Sequence, residues 1–279
     1  MMTLPTMELN DATRMPVLGF GTYPMRDDDA VEAIGSALDL GYRLIDTAVN
    51  YGNEREVGEA VRRSDVPRDQ ILLQTKIPGR HHAYDLALES LRGSSRLLGV
   101  EQIDIALIHW PNPSRGLYVE AWRALVDAQR DGLVRTIGVS NFKQEHLAAI
   151  IDATGVVPAV NQVELHPWFS QEDQRQVDGR LGIRTQAWSP LGRRKKPLDA
   201  PAVTAAARAH DVTPAQVVLR WHLQLGSVPL PKSATPARQR ANLDVLGFEL
   251  TQAQMAAIGA LSRPDGGFPD RDSNTHEEM

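Results

Sequence analysis

Side chains that can perform acid–base chemistry directly follow short apolar runs in this sequence. Asp46 follows the run Tyr42–Ile45, and Tyr51 comes five residues after Asp46, in a polar stretch before a helical pattern. Loops carried by a rigid scaffold are where catalytic residues are usually placed. Taken alone, each residue has a simpler interpretation, because Asp often caps a helix and Tyr is often half-buried. The pair becomes a functional hypothesis because the arrangement recurs along the chain.

The same arrangement is found at other apolar runs. Lys76 follows the run LLQT, His109 follows ALI, and Lys232 follows Leu230-Pro231. Polar residues that mark where buried strands meet water would explain several such positions. This interpretation explains less well a Lys, a His and an Asp placed directly against apolar runs, because a charge there is costly unless it is paired. Other runs end in Ser140-Asn141, Gln162 and Trp188-Ser189.

The apolar runs are typical of short β-strands, and they alternate with helical patterns along the whole chain. This alternation predicts an α/β protein with a parallel sheet. Eight strand–helix units in about 250 residues predict a closed (β/α)8 TIM barrel, with a doubly wound open sheet as the alternative. The carboxyl ends of barrel strands meet at one rim, where active sites are built. The predicted strands are Pro16–Phe20, Tyr42–Ile45, Ile71–Thr75, Ile103–Ile108, Arg135–Val139, Ala159–Val163, Arg184–Ala187 and Ser227–Leu230.

A helical pattern follows each predicted strand. At the N-terminus, Met7–Leu9 and Arg14–Pro16 around Asn10-Asp11 predict a hairpin that plugs the barrel floor. No linker rich in Pro, Gly or Ser divides the chain, so residues 1–279 are expected to form a single domain, with an irregular tail after Arg263. The predicted helices are Asp29–Leu40, Glu54–Arg63, Tyr84–Leu98, Tyr118–Asp131, Lys143–Ala153, Gln171–Gly179, Pro201–His210 and Thr235–Leu246, with extra helices near the C-terminus at Pro214–Leu225 and Gln252–Ala260.

The composition excludes several classes of protein. Hydrophobic residues make up 42% and charged residues 23% of the 279 residues, which is typical of a globular protein. A net charge of −5 argues against nucleic acid as a partner. The absence of Cys excludes disulfides, thiol catalysis and Cys-based metal sites. With no signal-peptide pattern and no apolar run long enough to span a membrane, we expect a soluble cytoplasmic protein.

Eight segments of the chain together resemble the aldo-keto reductase superfamily. They occur in that family's order over nearly the whole chain, and as a set they are highly specific. Within the superfamily the chain is most similar to bacterial members of the diketogluconate reductase type. The segments are GFGTY at Gly19–Tyr23, DTAVNYGNE at Asp46–Glu54, LLQTK ending at Lys76, LIHWP at Leu107–Pro111, GVSNF at Gly138–Phe142, NQVELHP at Asn161–Pro167, SPLGR at Ser189–Arg193 and PLPKSATPARQRANL at Pro229–Leu243.

The resemblance implies a barrel that binds NADPH and reduces aldehydes or ketones, with Asp46, Tyr51, Lys76 and His109 as catalytic residues. Tyr51 would deliver a proton to the developing alkoxide, although a phenol, with an ordinary pKa of about 10, is a reluctant acid. The Lys76 ammonium would lower that pKa, and Asp46 would keep Lys76 charged and oriented. His109 would hydrogen-bond to the carbonyl and help to polarise it. The alternative for His109 is a hydrogen-bonded core histidine.

The resemblance also implies a cofactor site, although the chain has no Rossmann fingerprint. Gly19-Phe20-Gly21 lacks the third glycine and the helix start which that motif requires. By resemblance, Ser140, Asn141 and Gln162 hold the nicotinamide carboxamide. Trp188 takes the position where the family has an aromatic residue against the nicotinamide ring. Further cofactor-binding residues are implied at Gly21 and Thr22 and, in the loop beside the pyrophosphate, at Ser189, Leu191 and Gly192.

A second group of residues predicts a preference for NADPH over NADH. Thr235-Pro236 suits the start of a helix, whose free N–H groups attract anions. Arg238 in the first turn adds a positive fork that suits a phosphate. The run Arg193–Lys196 is either a solvated loop or an aid to cofactor capture. By resemblance, the residues around the 2′-phosphate and adenine are Lys232, Ser233, Thr235, Arg238 and Asn242.

The substrate pocket is expected to be lined by Tyr23 and Trp110 and by the C-terminal tail around Phe268. Pro78 stands where the family commonly has an aromatic residue, so one wall of the pocket is absent. His81-His82 has no third ligand placed by the sequence, so we expect no metal. The expected partner is a small carbonyl substrate, and the expected state is a monomer.

The sequence therefore predicts an NADPH-dependent aldehyde or ketone reductase. The alternative is an NADPH-binding regulatory protein on the same barrel with little turnover, as in the potassium-channel β-subunit branch. The complete set of four catalytic residues and the short loops favour the enzyme. A metal-dependent barrel hydrolase or isomerase lacks a convincing set of carboxylate and His ligands.

Overall fold

The computed structural model describes residues 4–192 and 196–278. Its main element is an eight-stranded parallel sheet whose strands are neighbours in chain order. An antiparallel hairpin of β1 (Thr6–Glu8) and β2 (Arg14–Pro16) precedes the sheet. The strands of the sheet are β3 (Phe20–Gly21), β4 (Leu44–Asp46), β5 (Leu72–Ile77), β6 (Ile103–Ile108), β7 (Val134–Ser140), β8 (Val160–Glu164), β9 (Arg184–Trp188) and β10 (Val228–Pro229).

Helices cover the outer face of the sheet and bury apolar residues against it. In α2, for example, Val57, Ala60 and Val61 face inward at three- and four-residue spacing, as predicted. Thr213 and Thr251 begin α8 and α10 with capping boxes. The helices are α1 (Asp27–Leu40), α2 (Glu54–Arg63), α3 (Tyr84–Leu98), α4 (Tyr118–Arg130), α5 (Gln144–Thr154), α6 (Glu172–Arg180), α7 (Pro201–His210), α8 (Pro214–Gln224), α9 (Pro236–Leu243) and α10 (Gln252–Gly259).

Backbone hydrogen bonds close the barrel between its first and last strands. The N–H groups of Gly19 and Gly21 donate to the carbonyl oxygens of Pro229 and Pro231, each at 3.1 Å. The main chain of proline has a carbonyl oxygen that accepts a hydrogen bond but no N–H that could donate one. Each Pro therefore makes only one of the two hydrogen bonds of a regular parallel ladder. Gly21 must be small, because a Cβ there would lie 2.9 Å from the Leu230 carbonyl oxygen. The prediction of a (β/α)8 barrel is confirmed.

The hairpin forms the floor of the barrel. Met15 is fully buried and packs with Leu9 against interior residues that include Leu44, Leu107 and Val160. The apolar lower half of the interior therefore continues into the hairpin. The predicted plug is confirmed.

Most predicted bounds agree with the structure, but the first barrel strand does not. The predicted strand Pro16–Phe20 was wrong, because Pro16 belongs to the hairpin and the barrel strand comprises Phe20–Gly21. Between Pro16 and Phe20 the chain passes from the hairpin to the barrel, and the Val17 N–H donates to the Pro5 carbonyl oxygen at 3.0 Å. The last strand is also shorter than predicted.

The tail beyond Arg263 contains no helix or strand through residue 278, and several of its side chains lie at the carboxyl ends of the strands. None of the helices in residues 4–192 and 196–278 is long and apolar enough to cross a membrane. Within these same two ranges, no group of three or more His, Cys, Asp or Glu side chains is placed to hold a metal ion.

Candidate active site

The four side chains predicted to be catalytic meet at the carboxyl ends of β4, β5 and β6. Asp46 ends β4 and is in register with Gln74 of β5, so Lys76, two residues further on, points into the barrel on the same side. The Lys76 ammonium donates to Asp46 Oδ1 at 2.7 Å and to the Thr47 carbonyl oxygen at 2.9 Å. Lys76 is fully buried and Asp46 is 4% exposed. Each charge therefore depends on the other for compensation.

A layer of glutamine side chains beneath Asp46 supports this ion pair. Gln74 and Gln162 donate to Asp46 Oδ1 at 2.6 and 2.9 Å. Gln186 accepts from both of them, at 2.8 and 3.0 Å, and all three are buried. The sequence analysis did not single out Gln74 and Gln186; an amide inside an otherwise apolar strand was the available signal.

Tyr51 lies above the ion pair, in the loop between β4 and α2. Its hydroxyl oxygen is 3.4 Å from Lys76 Nζ. Asn53 holds this loop, because its Nδ2 donates to the Met25 carbonyl oxygen at 2.9 Å and its Oδ1 accepts from the Thr47 hydroxyl at 2.5 Å. Asn53 is fully buried and was not predicted to have a role. The sequence placed it in a polar loop, where burial has no local signal.

The pKa of Tyr51 is raised well above its ordinary value, first by burial of its hydroxyl end and then by the negative charge of Asp46. Burial and the Asp46 charge outweigh any lowering of this pKa by Lys76, and the predicted stabilisation of the phenolate by Lys76 stays a prediction. The charge of Lys76 is compensated by Asp46. Burial lowers the pKa of Lys76, and Asp46 partly opposes that shift. Tyr51 therefore carries its proton at neutral pH.

His109 follows β6 and completes the group. Its ring centroid lies 5.7 Å from that of Tyr51. Its main-chain carbonyl oxygen accepts from Asn141 Nδ2 at 2.9 Å. Nδ1 of the ring lies 2.8 Å from Oε1 of Glu278 in the C-terminal tail, although the ring N–H is not aligned for a regular hydrogen bond. The sequence analysis missed Glu278, because nothing in its local pattern links it to His109.

These residues lie at one end of a cleft with a volume of about 1020 Å³. Asp46, Tyr51 and His109 line its wall, whereas Lys76 lies beneath Tyr51. Ser140 also lies behind the wall, where its hydroxyl donates to the Gln162 carbonyl oxygen at 2.7 Å. The other predicted cofactor and substrate residues all line the cleft: Gly21, Thr22, Tyr23, Trp110, Asn141, Gln162, Trp188, Ser189, Leu191, Gly192, Lys232, Ser233, Thr235, Arg238 and Asn242.

The residues expected at the nicotinamide bond to one another. The Trp188 indole N–H donates to Asn141 Oδ1 at 2.8 Å, and Asn141 Nδ2 donates to Ser140 Oγ at 3.0 Å. Phe268 of the tail stacks on the Trp188 ring at a centroid distance of 5.6 Å. The amide of Gln162 is also bonded within the protein. The assignment of Ser140, Asn141 and Gln162 to a carboxamide therefore stays a prediction.

The far end of the cleft is formed by the start of α9. Thr235 is the N-cap and Pro236 the first helical residue, as predicted. The Thr235 side chain makes no capping hydrogen bond, so it does not satisfy the N–H groups of the first turn. Lys232 and Arg238 are exposed beside this helix start. An anion placed there would meet the positive end of the helix and two positive charges.

Gln239 holds the loop before α9 and was not predicted to have a role. It is fully buried, and its Nε2 donates to the carbonyl oxygens of Ala33 and Ser233 at 2.8 and 2.9 Å. Its main-chain carbonyl oxygen accepts from the Tyr42 hydroxyl at 3.0 Å. The loop that carries Lys232 and Ser233 is thus fixed to the barrel wall.

The basic run predicted to be either a solvated loop or an aid to cofactor capture lies largely outside the described residues. Residues 193–195 are not described, and Lys196 begins a 3-10 turn, Lys196–Asp199. Leu198 and Asp199 of that turn line the cleft. The role of the run stays a prediction.

The chain belongs to the aldo/keto reductase family, whose family model matches residues 17–263. It is therefore an oxidoreductase of that family. It is 54% identical, over all 279 residues and the full length of both chains, to 2,5-diketo-D-gluconic acid reductase B of Corynebacterium sp. (strain SHS752001).

Solved structures of related proteins share the fold. The apo form of Gox0644 matches with a TM-score of 0.94 and 43% identity, over 98% of this chain and 99% of that chain. A variant of Gox0644 in complex with NADPH matches with a TM-score of 0.93, at the same identity and coverage. A Bombyx mori aldo-keto reductase in complex with NADP is 31% identical, with a TM-score of 0.87 over 94% of this chain and 94% of that chain.

Proposed function

We propose that this protein reduces aldehydes and ketones to alcohols with NADPH and that Tyr51 is the general acid. The position of the Tyr51 hydroxyl carries the proposal. It lies 3.4 Å from the buried Lys76 ammonium, next to His109, at one end of a long cleft. The opposite end of that cleft presents the helix start and cations that suit a phosphate group.

The residues of the cleft fit NADPH. A volume of about 1020 Å³ exceeds what a small carbonyl compound needs and leaves room for a dinucleotide. Trp188 offers an aromatic ring at the Tyr51 end, and Arg238 offers a guanidinium at the other. The complexes of related proteins with NADPH and NADP support the same ligand here. When bound, NADPH supplies the hydride.

The protein's own residues handle the proton and the charge on oxygen. His109 is placed to polarise a carbonyl oxygen held beside Tyr51. Tyr51, protonated at neutral pH, transfers its proton to that oxygen, because an alkoxide is a far stronger base than a phenolate. The Lys76 ammonium, 3.4 Å away, stabilises the phenolate that remains. Proton transfer of this kind is worth about 10²–10⁴-fold in rate.

The substrate class is inferred from the relatives. The relative that is 54% identical is named for its action on 2,5-diketo-D-gluconic acid, a polyhydroxylated compound with two ketones and a carboxylate. We infer that keto sugar acids belong to the substrate range of this protein. Tyr23 and Trp110 at the mouth of the cleft supply contact surface for such a substrate.

All eight barrel strands belong to one sheet, and we infer a single domain that acts as a monomer. The net charge of −5 argues against nucleic acid as a partner. Sedimentation velocity at micromolar concentration checks the monomer.

The test is a spectrophotometric screen of NADPH oxidation with small aldehydes, α-dicarbonyls and keto sugar acids. We expect turnover with part of this panel. We expect Tyr51→Phe to lower turnover about 10²–10⁴-fold while leaving NADPH affinity within about threefold, because only the acidic proton is removed. Near-native turnover in that variant contradicts the assignment. NADPH binding with no turnover on any compound would favour the regulatory alternative.

A further inference from the structure

The side chain of Glu278, in the C-terminal tail, reaches into the substrate end of the cleft. Its Oε1 lies 2.8 Å from His109 Nδ1, and its side chain is 14% exposed. Burial alone would raise the pKa of Glu278, but His109, Asn50 and Gly79 together outweigh it and hold that pKa below its ordinary value. The group is therefore a bound carboxylate, not a frayed end.

The main chain around Glu278 is shaped to the barrel. A Cβ on residue 79 would collide with the Glu278 carbonyl oxygen, so Gly79 is what allows the two backbones to meet. Asn112 Nδ2 donates to that same carbonyl oxygen. One residue earlier, Glu277 Oε1 accepts from the Ser114 N–H at 2.9 Å. We call the donors His109, Asn50 and Gly79 the carboxylate seat.

The surroundings of the carboxylate seat are poorly satisfied. Among the described residues, buried polar atoms without a hydrogen-bond partner include both ring nitrogens of His82, Asn112 Oδ1, Glu277 Oε2 and Glu278 Oε2. Each such atom carries a desolvation cost that weakens docking of the tail. The tail is thus held by specific contacts but not by a fully bonded core, so the proposal below requires that it can leave the seat.

We propose that Glu278, held in the carboxylate seat at the active site, is an intramolecular competitor of substrate. The seat offers a ring nitrogen, an amide and a main-chain N–H, groups whose charge or polarity suits the acceptor-only oxygens of a carboxylate. His109 and Tyr51 are neighbours, so Glu278 Oε1 occupies space that a carbonyl bonded to His109 requires. A free carboxylate, or a carbonyl compound that carries one, competes with Glu278. The assignment of this end of the cleft to substrate rests on the proposed function.

Binding of benzoate to the NADPH-free protein tests the seat without turnover. If the tail is docked in about nine of every ten protein molecules, only about one in ten can bind a competitor, and the apparent affinity falls about tenfold. We therefore expect Glu278→Ala to bind benzoate about tenfold more tightly than the wild type by isothermal titration calorimetry. Benzamide, a neutral analogue, should show no such gain. The matched control is Glu101→Ala, which removes an exposed carboxylate before β6 and should leave benzoate affinity unchanged.

A second substitution tests the donors. Adding Asn50→Ala to the Glu278→Ala variant should abolish most of the gain in benzoate affinity. Glu278→Gln, which keeps the shape of the side chain, should bind benzoate more tightly than the wild type and guards against an effect of misfolding. Equal benzoate affinity in the wild type, Glu278→Ala and Glu278→Gln would overturn the proposal.

The kinetic counterpart uses a neutral aldehyde that the screen identifies as a substrate. Competition predicts that Glu278→Ala lowers KM about tenfold while kcat stays within about twofold. A lower kcat at unchanged KM would overturn the proposal, since it would place Glu278 in the chemical step. Because the benzoate titration needs no turnover, failure of the reductase proposal would leave it interpretable.

Discussion

At the scale of single residues, the site is organised around a buried ion pair beneath a protonated phenol. Lys76 is fully buried and reaches three oxygens: Asp46 Oδ1, the Thr47 carbonyl oxygen and the Tyr51 hydroxyl. Its charge is compensated by Asp46 before reaction and is available to Tyr51 once that hydroxyl has lost its proton. We therefore expect Lys76 to have both a structural and a functional role.

Lys76→Met separates these two roles when it is combined with Asp46→Asn. Alone, Lys76→Met leaves the Asp46 carboxylate buried and unpaired, so we expect the free energy of unfolding to fall by about 3–5 kcal/mol. The double variant removes both charges and should recover most of that loss. Turnover should stay about 10²–10⁴-fold below wild type in both variants, because neither can stabilise the Tyr51 phenolate. Urea titrations and steady-state kinetics on the three proteins measure this.

Recovery of activity along with stability in the double variant would contradict the functional role of Lys76. It would mean that Lys76 matters only because Asp46 is buried beside it.

At the scale of elements, we expect the start of α9 to set the affinity for the cofactor's phosphate end. Its first-turn N–H groups receive no side-chain cap from Thr235, and Arg238 lies exposed in that turn. The preceding loop is fixed by Gln239 to Ala33 and Ser233. The element is therefore preorganised for an anion, which limits the entropy lost on binding.

Arg238→Ala tests this element. A hydrogen bond to a charged group contributes about 1.5–3 kcal/mol, so we expect NADPH affinity to fall about 10- to 150-fold. NADH has no 2′-phosphate, so its affinity should stay nearly unchanged and the preference for NADPH should shrink. Arg240→Ala is the matched control, because Arg240 is exposed on the same helix but does not line the cleft. Titration with both cofactors measures the effect.

Equal losses of NADPH affinity in the Arg238 and Arg240 variants would indicate general electrostatic attraction by the helix and not a direct contact of Arg238 with the phosphate. Equal binding of NADPH and NADH by the wild type would remove the basis for the assignment.

At the scale of the whole molecule, a buried carboxyl outside the cleft makes stability depend on pH. Asp178 of α6 is fully buried and accepts from Asn161 at 3.1 Å and Thr185 at 2.8 Å. Burial raises the pKa of Asp178 to about 6 from its ordinary 3.8. Because the folded state holds this proton more tightly, the contribution to stability is present below pH 3.8 and is lost as pH rises through about 6.

Asp178→Asn should remove this dependence, since Asn mimics the protonated form. Relative to wild type, the variant should gain stability between pH 4 and pH 7, by up to about 3 kcal/mol for a shift of two pKa units, and the difference should level off above pH 7. Urea titrations across this pH range measure it. Asp152→Asn, on an exposed surface of α5, is the control and should show a constant difference. A constant difference for Asp178→Asn as well would refute the raised pKa.

The architecture and most of the site's residue types could be predicted from local patterns in the sequence. Alternating apolar runs and helical patterns are local properties, so α2, α3, α7 and β6 could be bounded to the residue. Because parallel strands in a closed barrel present their carboxyl ends at one rim, the polar residues after each strand could be placed together before any coordinates. Resemblance to a family then supplied roles for Asp46, Tyr51, Lys76 and His109.

Only the tertiary structure decided what surrounds those residues. The register of β4 against β5 brings Lys76 to Asp46. Burial, followed by the charge of Asp46, raises the pKa of Tyr51 above its ordinary value. The glutamine layer and Glu278 beside His109 join residues far apart in the chain. Such contacts leave no periodic trace, since they depend on where the barrel closes and where an irregular tail finds hydrogen-bond donors. Burial and charge pairing are properties of that arrangement, and they decide the chemistry.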